Sequence, residues 1–240
     1  MTKETTGDFV LSELLSIADP LQAEFLKRFF KTGKGQYGEG DVFLGIRVPQ
    51  TRDVVKNCGK ISFSEIQKLL DSEYHEARLA GFLLLVRDFK KAKKDETTKK
   101  SIYDFYLVNA KKANNWDLAD MSCRDIAGGY LLDKTDRSIL YTLAESDNLW
   151  EQRIAMVSTW MFIKHNDYDD ALKLAEIFFS HKNDLIHKAT GWMLREVGKK
   201  DRETLTDFLE KHRLKLPRTM LRYAIEHYSP EKREYFMKKN

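Results

Sequence analysis

Cysteine is scarce in this chain: two residues in 240, Cys58 and Cys123. They stand in no metal-ligand spacing, and two thiols cannot build the disulfide framework of a small secreted domain. A reducing, cytoplasmic environment is therefore expected. Long apolar runs are also missing. The densest, FLLLV at 82–86, falls far short of the roughly 18 residues that argue for a membrane span, so no membrane association is expected. The opening residues MTKETTGDF carry no apolar stretch of the kind a secretion signal needs. Neither sign of charge dominates: 41 Lys and Arg against 37 Asp and Glu leave a formal net charge of +4. That excess is too small to name an acidic partner, so the placement of the cations matters more than their number. Proline is limited to four residues. Pro20, Pro49, Pro217 and Pro230 each read as a first helical residue, where a missing N–H does no harm. Ser229-Pro230 reads as a cap followed by such a proline.

What is present is helical periodicity. LSELLSIA, LQAEFLKRFF, EARLAGFLLLVRDF, SIYDFYLVNA, DALKLAEIFF and ETLTDFLEKH all carry apolar residues at three- and four-residue spacing. VFLGIRV, 42–48, is the one segment that could be extended. Five blocks align with one another, opening at Arg78, Asp117, Arg153, Lys188 and Arg222, with spacings of 39, 36, 35 and 34. Each block opens a long helix that follows a more polar one. A loose period of this size with two helices per unit predicts stacked helical pairs. The fold expected is all-α, an α-solenoid of HEAT-like helical repeats forming one domain over residues 1–240. The second helix of each pair would line its concave side.

Several motifs that suggest chemistry do not hold up. Gly33-Lys-Gly35-Gln-Tyr-Gly38 fits G-x-G-x-x-G, but a dinucleotide site needs a strand before it and a helix after it. Here a helix precedes it, and Glu39 and Asp41 follow, where they would repel phosphate. A flexible inter-helix loop is the expectation, with Tyr37 a point of ligand contact. His181 and His187 are six residues apart, off the spacing that puts two metal ligands on one helix face, so no metal site is expected. No serine sits in a nucleophile-elbow pattern. KKAKK at 90–94 reads as a solvated helix end.

The charged and aromatic faces say more. Lys188, Trp192, Arg195 and Lys199 recur at i, i+4, i+7 and i+11, one helix face with three cations and a tryptophan. Unpaired buried charges are costly, so this is not a core face. Cations interleaved with an aromatic ring suit a phosphate backbone and its sugars or bases. One repeat earlier, Trp150 and Arg153 lie a turn apart; one earlier still, so do Trp116 and Asp120. Side by side, these helices would turn three tryptophans, Asp120 and several cations toward one groove. Asp120 is the odd member. A carboxylate beside phosphates is either salt-bridged, to Arg124 or Arg153, or present for chemistry. Such a group can stabilise positive charge developing on a sugar ring and orient an attacking water. A second acid to protonate the leaving base is unnecessary when that base is already cationic, as an N3- or N7-alkylated purine is.

With these residues, the chain resembles the AlkD-type DNA alkylation repair glycosylases, which are built from HEAT-like repeats. The resemblance lies in FFKTGKGQYGEGDVFLGIRVPQTR (29–52), NNWDLAD (114–120), LWEQRIA (149–155) and KATGWMLREVGK (188–199). It implies that Asp120 is the catalytic carboxylate and that Trp116 and Trp192 cradle the sugar of the damaged nucleotide. It implies too that Arg153 contacts the DNA backbone; Lys188, Arg195 and Lys199 join it on the helical spacing above. The expected activity is that of a monofunctional DNA-alkylpurine N-glycosylase, a cofactor-free hydrolase of base excision repair. It would cleave the N-glycosidic bond of positively charged alkylpurines in double-stranded DNA held in the concave groove, without base flipping. A cytoplasmic monomer, on the nucleoid when bound to DNA, is expected. Two alternatives stand beside it: a non-catalytic member that binds DNA structure, and a protein-binding solenoid scaffold.

Overall fold

The computed structural model describes residues 5–238; their regular structure is helical, with no strand among them. The chain divides into two compact units, Met1–Ser122 and Cys123–Asn240.

In the first unit the helix Gly7–Ser16 starts where the Thr6 hydroxyl accepts from Phe9 N. Pro20–Phe29 starts where the Asp19 carboxylate accepts from Leu21 N and Gln22 N, with Pro20 in the first turn. Val48–Asn57, Phe63–Leu70 and His75–Ala92 follow, then Glu96–Val108. These caps take up the backbone N–H groups that a helix cannot satisfy itself. His75–Ala92 is the centre: Leu79, Ala80, Phe82, Leu84 and Leu85 are all nearly inaccessible. A helix apolar on every side must be enclosed, and this one packs against Val48–Asn57, Phe63–Leu70 and Glu96–Val108.

In the second unit the corresponding centre is Asp184–Lys200, which packs against Leu149–Ser158, Arg202–His212 and Arg218–Ala224. Its buried face is Ile186, Ala189, Met193, Leu194 and Val197. The unit opens on a π-helical turn, Arg124–Gly128.

The repeat register is visible within each unit. The first four aligned blocks fall in His75–Ala92, Trp116–Cys123, Leu149–Ser158 and Asp184–Lys200; the fifth starts in the last turn of Arg218–Ala224 and runs past its end, so it does not open a helix. Each of these follows a helix of its own: Phe63–Leu70, Glu96–Val108, Ser138–Ala144, Asp169–Ile177 and Arg202–His212. Two of the block helices are shorter than the expected long ones, with 8 residues in Trp116–Cys123 and 7 in Arg218–Ala224.

Three local expectations need correction. Pro217 caps the helix Arg218–Ala224 from outside instead of opening it, and Pro49 sits one residue inside Val48–Asn57. VFLGIRV forms no strand; Val42 makes a single parallel bridge to Tyr74. The residues that follow the glycine-rich motif are anchored. The Glu76 carboxylate, itself buried, accepts from Leu44 N at 2.9 Å, Gly45 N at 2.9 Å and Ile46 N at 3.1 Å. Val42 O accepts from His75 N at 2.8 Å, and Leu44 O from Asp19 N at 2.9 Å.

Gly45 has φ +84°, and a Cβ there would overlap the carbonyl oxygen of Asp19. Gly35 has a similar φ of +75° but faces open space. Gly35→Ala is therefore expected to cost about 1 kcal/mol, the ordinary penalty of the left-handed region, and Gly45→Ala well over 2 kcal/mol as backbone overlap is added. Urea unfolding of both variants checks this; equal losses would show that the Asp19 carbonyl gives way freely.

Candidate functional site

In the first unit, the candidate residues lie on the helix Trp116–Cys123. Trp116 and Asp120 are both half-buried and stand one turn apart. The Trp116 ring stacks on Phe30 at 5.3 Å between centroids and meets Phe29 edge-on at 6.0 Å. Phe30 in turn stacks on Phe43 at 5.1 Å. Trp116 thus closes a small apolar cluster made by Ala23, Leu26, Phe30 and Phe43, which fixes the ring plane without using its N–H.

Beneath it lies a group of charged residues that the sequence reading did not assemble. His75, Arg78, Asp41 and Asp117 are 2, 6, 8 and 3 % exposed. His75 Nε2 lies 2.9 Å from Asp117 Oδ2, and His75 Nδ1 lies 3.4 Å from Asp41 Oδ2. Arg78 donates to Asp41 Oδ1 at 2.6 Å and to the carbonyls of Ser72 and Glu73 at 2.8 and 2.9 Å. The amides of Asn114 and Asn115 donate to Asp41 at 3.0 and 3.1 Å. Burial alone would pull the His75 imidazole down, but the charge and hydrogen bond of Asp117, with those of Asp41, outweigh it and carry it up to about 9. Burial pushes the Asp41 carboxyl up; the hydrogen bond from His75 and the charge of Arg78 more than offset this and hold it below its ordinary value. The cluster thus sets the side chains of Asp41 and Asp117 against the Arg78 guanidinium and the His75 imidazole. A signal for it existed: Arg78 and Asp117 open two of the repeat blocks, where an apolar face would be the default.

In the second unit, Trp192 is half-buried on Asp184–Lys200. Its Nε1 donates to Glu196 Oε1 at 3.1 Å, and the Arg124 guanidinium lies 5.8 Å from its ring and 5.1 Å from that of Trp160. Glu196 and Trp160 were not among the candidates, and Arg124 entered only as a candidate salt-bridge partner of Asp120. Glu196 is legible as the i+4 neighbour of Trp192, whereas Trp160 lies about one repeat period beyond Arg124.

The cations of the stripe share one helix, and each has an acidic partner. Lys188 pairs with Asp184 at 2.8 Å, Lys199 with Glu196 at 2.7 Å, and Arg195 with Glu226 and, at 3.7 Å, Glu196. Their side chains retain 40, 43 and 19 % exposure for Lys188, Lys199 and Arg195. Arg153 departs most from its expected place. It is 6 % exposed and donates to the carbonyl of Leu185 at 2.7 Å, so it ties Leu149–Ser158 to the first turn of Asp184–Lys200. Trp150 is 7 % exposed and fills the core, so it does not line a surface as its register with Trp116 and Trp192 suggested. Among the described residues no three His, Cys, Asp or Glu side chains are grouped to hold a metal ion, and no helix is long and apolar enough to cross a membrane.

These features define an all-helical protein with three half-buried tryptophans: Trp116 one turn from a carboxylate, Trp192 within a stripe of cations, and Trp160, which shares the Arg124 guanidinium with Trp192. Residues 10–228 match the family model of the DNA alkylation repair enzymes, and the chain belongs to that family. Among solved structures it is similar to one described as a predicted DNA alkylation repair enzyme from Enterococcus faecalis, with a TM-score of 0.66 over 89 % of this chain and 97 % of that one. The identity is 18 %, so that likeness speaks to the fold. No curated protein matches the chain.

The ion cluster has a pH signature. Unfolded, His75 titrates near 6.5; folded, at about 9. Its contribution to stability is therefore fully present below about 6.5 and is lost as the pH rises through about 9. The melting temperature of the wild type should fall across that interval more steeply than that of His75→Gln; parallel slopes would mean that His75 is not charged in the fold.

Proposed function

We propose that this chain is a DNA N-glycosylase that hydrolyses the N-glycosidic bond of cationic N3- or N7-alkylated purines in duplex DNA. Membership of the DNA alkylation repair enzyme family supports repair of alkylated DNA. The observation that carries the finer reading is Asp120, a half-buried carboxylate one turn from a tryptophan whose ring is fixed by Phe29 and Phe30. Under this proposal the helix pairs are HEAT-like repeats, which the loose period of 34 to 39 residues supports.

The chemistry needs little beyond these groups. As the bond from C1′ to the purine nitrogen breaks, its electron pair leaves with the base and neutralises the base's positive charge. No proton need be delivered. Positive charge develops instead on the deoxyribose, and the Asp120 carboxylate stabilises it electrostatically. Water then adds to C1′ and loses its proton to Asp120 or solvent, leaving an abasic site and a neutral alkylpurine. Trp116 offers a rigid apolar face to the sugar, its plane held by aromatic stacking. Trp192, in the second unit, offers such a face to the DNA and is held by Glu196 and Arg124. Lys188, Arg195 and Lys199 meet phosphates by exchanging their acidic partners for the backbone, which makes binding salt-dependent. Arg153 serves by holding the start of the helix that carries them.

Base release from duplexes containing 7-methylguanine or 3-methyladenine tests the proposal. Wild type should release base, and Asp120→Asn should slow single-turnover release by about 100-fold or more with duplex affinity retained. Absence of release alongside tight, salt-sensitive binding would identify a non-catalytic DNA-structure binder, and absence of both would point to a protein-binding scaffold.

A further inference from the structure

The proposed chemistry makes no use of the buried ion cluster, yet the cluster converges on the helix that carries Trp116 and Asp120. We propose that His75 is a positioning residue: bridged between Asp41 and Asp117, it fixes the first turn of that helix and so sets the direction of Trp116 and Asp120. This rests on the reading of Asp120 as the catalytic carboxylate.

Four sets of contacts, all within the first unit, lead to it. His75 Nε2 meets Asp117 Oδ2 at 2.9 Å, and Asp117 Oδ1 accepts from Leu118 N at 2.9 Å, so one carboxylate is tied both to the imidazole and to the backbone of the helix start. The Asn115 side chain is tied at both ends, with its Oδ1 accepting from Trp116 N at 2.9 Å and its Nδ2 donating to Asp41 at 3.1 Å. The imidazole is itself held in an aromatic stack, 4.6 Å from Phe43 and 5.1 Å from Phe30, and Phe30 is the ring on which Trp116 rests. Lastly, Asp41 belongs to the glycine-rich segment, whose following residues are pinned by Glu76, the neighbour of His75. The charged groups facing the imidazole are thus Asp41 from the loop and Asp117 from the helix start; from its own helix, Arg78 is linked to it through Asp41, and Glu76 is taken up by the backbone of residues 44–46. A neutral side chain in place of His75 leaves two buried carboxylates with one guanidinium, and their repulsion acts on the two segments that frame Trp116. Small displacements of a reacting group are costly in rate: about 1 Å can cost on the order of 100-fold.

The test compares wild type, His75→Gln and Asp120→Asn, each with 5-fluorotryptophan at its four tryptophans. The Trp116 fluorine resonance is assigned with Trp116→Phe. His75→Gln is expected to shift the Trp116 resonance while those of Trp150, Trp160 and Trp192 stay. It should also slow single-turnover base release about tenfold or more with duplex affinity unchanged. A Trp116 resonance at its wild-type position, a uniform shift of all four, or release at the wild-type rate from an active enzyme overturns the proposal. If wild type itself releases no base, the glycosylase reading fails, and the fluorine spectra alone decide whether His75 positions Trp116. Should His75→Gln fail to fold by circular dichroism, Asp41→Asn keeps the shape, removes one of the two charges, and is read by the same criteria.

Discussion

Two carboxylates, an imidazole and a guanidinium packed below 9 % exposure would be prohibitively costly if any one of them lacked a partner. In this chain each answers another: Asp41 to Arg78 and His75, Asp117 to His75, and Arg78 also to two backbone carbonyls. The cluster joins three stretches of chain that are far apart in sequence. They are the glycine-rich segment, the start of the central helix His75–Ala92, and the residues that lead into Trp116–Cys123. Close packing alone could bring these together, but it would tolerate slippage. Directional hydrogen bonds between charged groups select one register. The apolar cluster around Phe30 and Phe43 then builds on that frame, and Trp116 completes it.

The two tryptophans proposed to meet DNA illustrate two ways of fixing a large ring at a partly open surface. Trp116 is held by other aromatic rings, a non-polar contact that salt does not screen. Trp192 is held by its N–H bond to Glu196 and by the cation of Arg124, both electrostatic. Glu196 also takes Lys199 and lies near Arg195, so the aromatic ring and two cations of the stripe share one acid. The stripe is thus less positive than its cations alone suggest. Exposed pairs of this kind contribute little to stability, commonly under about 1 kcal/mol, and are readily exchanged for a phosphate.

Much of the helical plan was legible in the residues. The apolar spacing of EARLAGFLLLVRDF marks the enclosed helix His75–Ala92, and the aligned blocks each start in the second member of a helix pair. The position of Trp116 and Asp120 on one helix, a turn apart, follows from spacing in the same way. Other readings met their limits where burial was in question. Trp150 and Arg153 share a register with residues at the surface, yet both are buried, because neighbouring helices cover that part of Leu149–Ser158. The glycine-rich motif looks like a flexible connection by composition, but the residues that follow it are held, Asp41 by Asn114 and Asn115 and residues 44–46 by Glu76. Nothing local to residues 33–47 announces an acceptor that lies some thirty residues further on.

The sequence by itself determined the all-helical class, the helix pairs and their period, and the presence of a carboxylate one turn from a tryptophan, since each depends on backbone hydrogen bonds and side-chain spacing within one helix. Only the tertiary structure decided which charges are buried and with what partners: that His75 spans Asp41 and Asp117, that Arg153 serves a carbonyl, and that Glu196 gathers Trp192 and Lys199. The physical reason is that a charge's cost and its state depend on the dielectric and the countercharges around it. Except for Glu196, whose partners lie within a turn, those come from parts of the chain that helical periodicity does not relate.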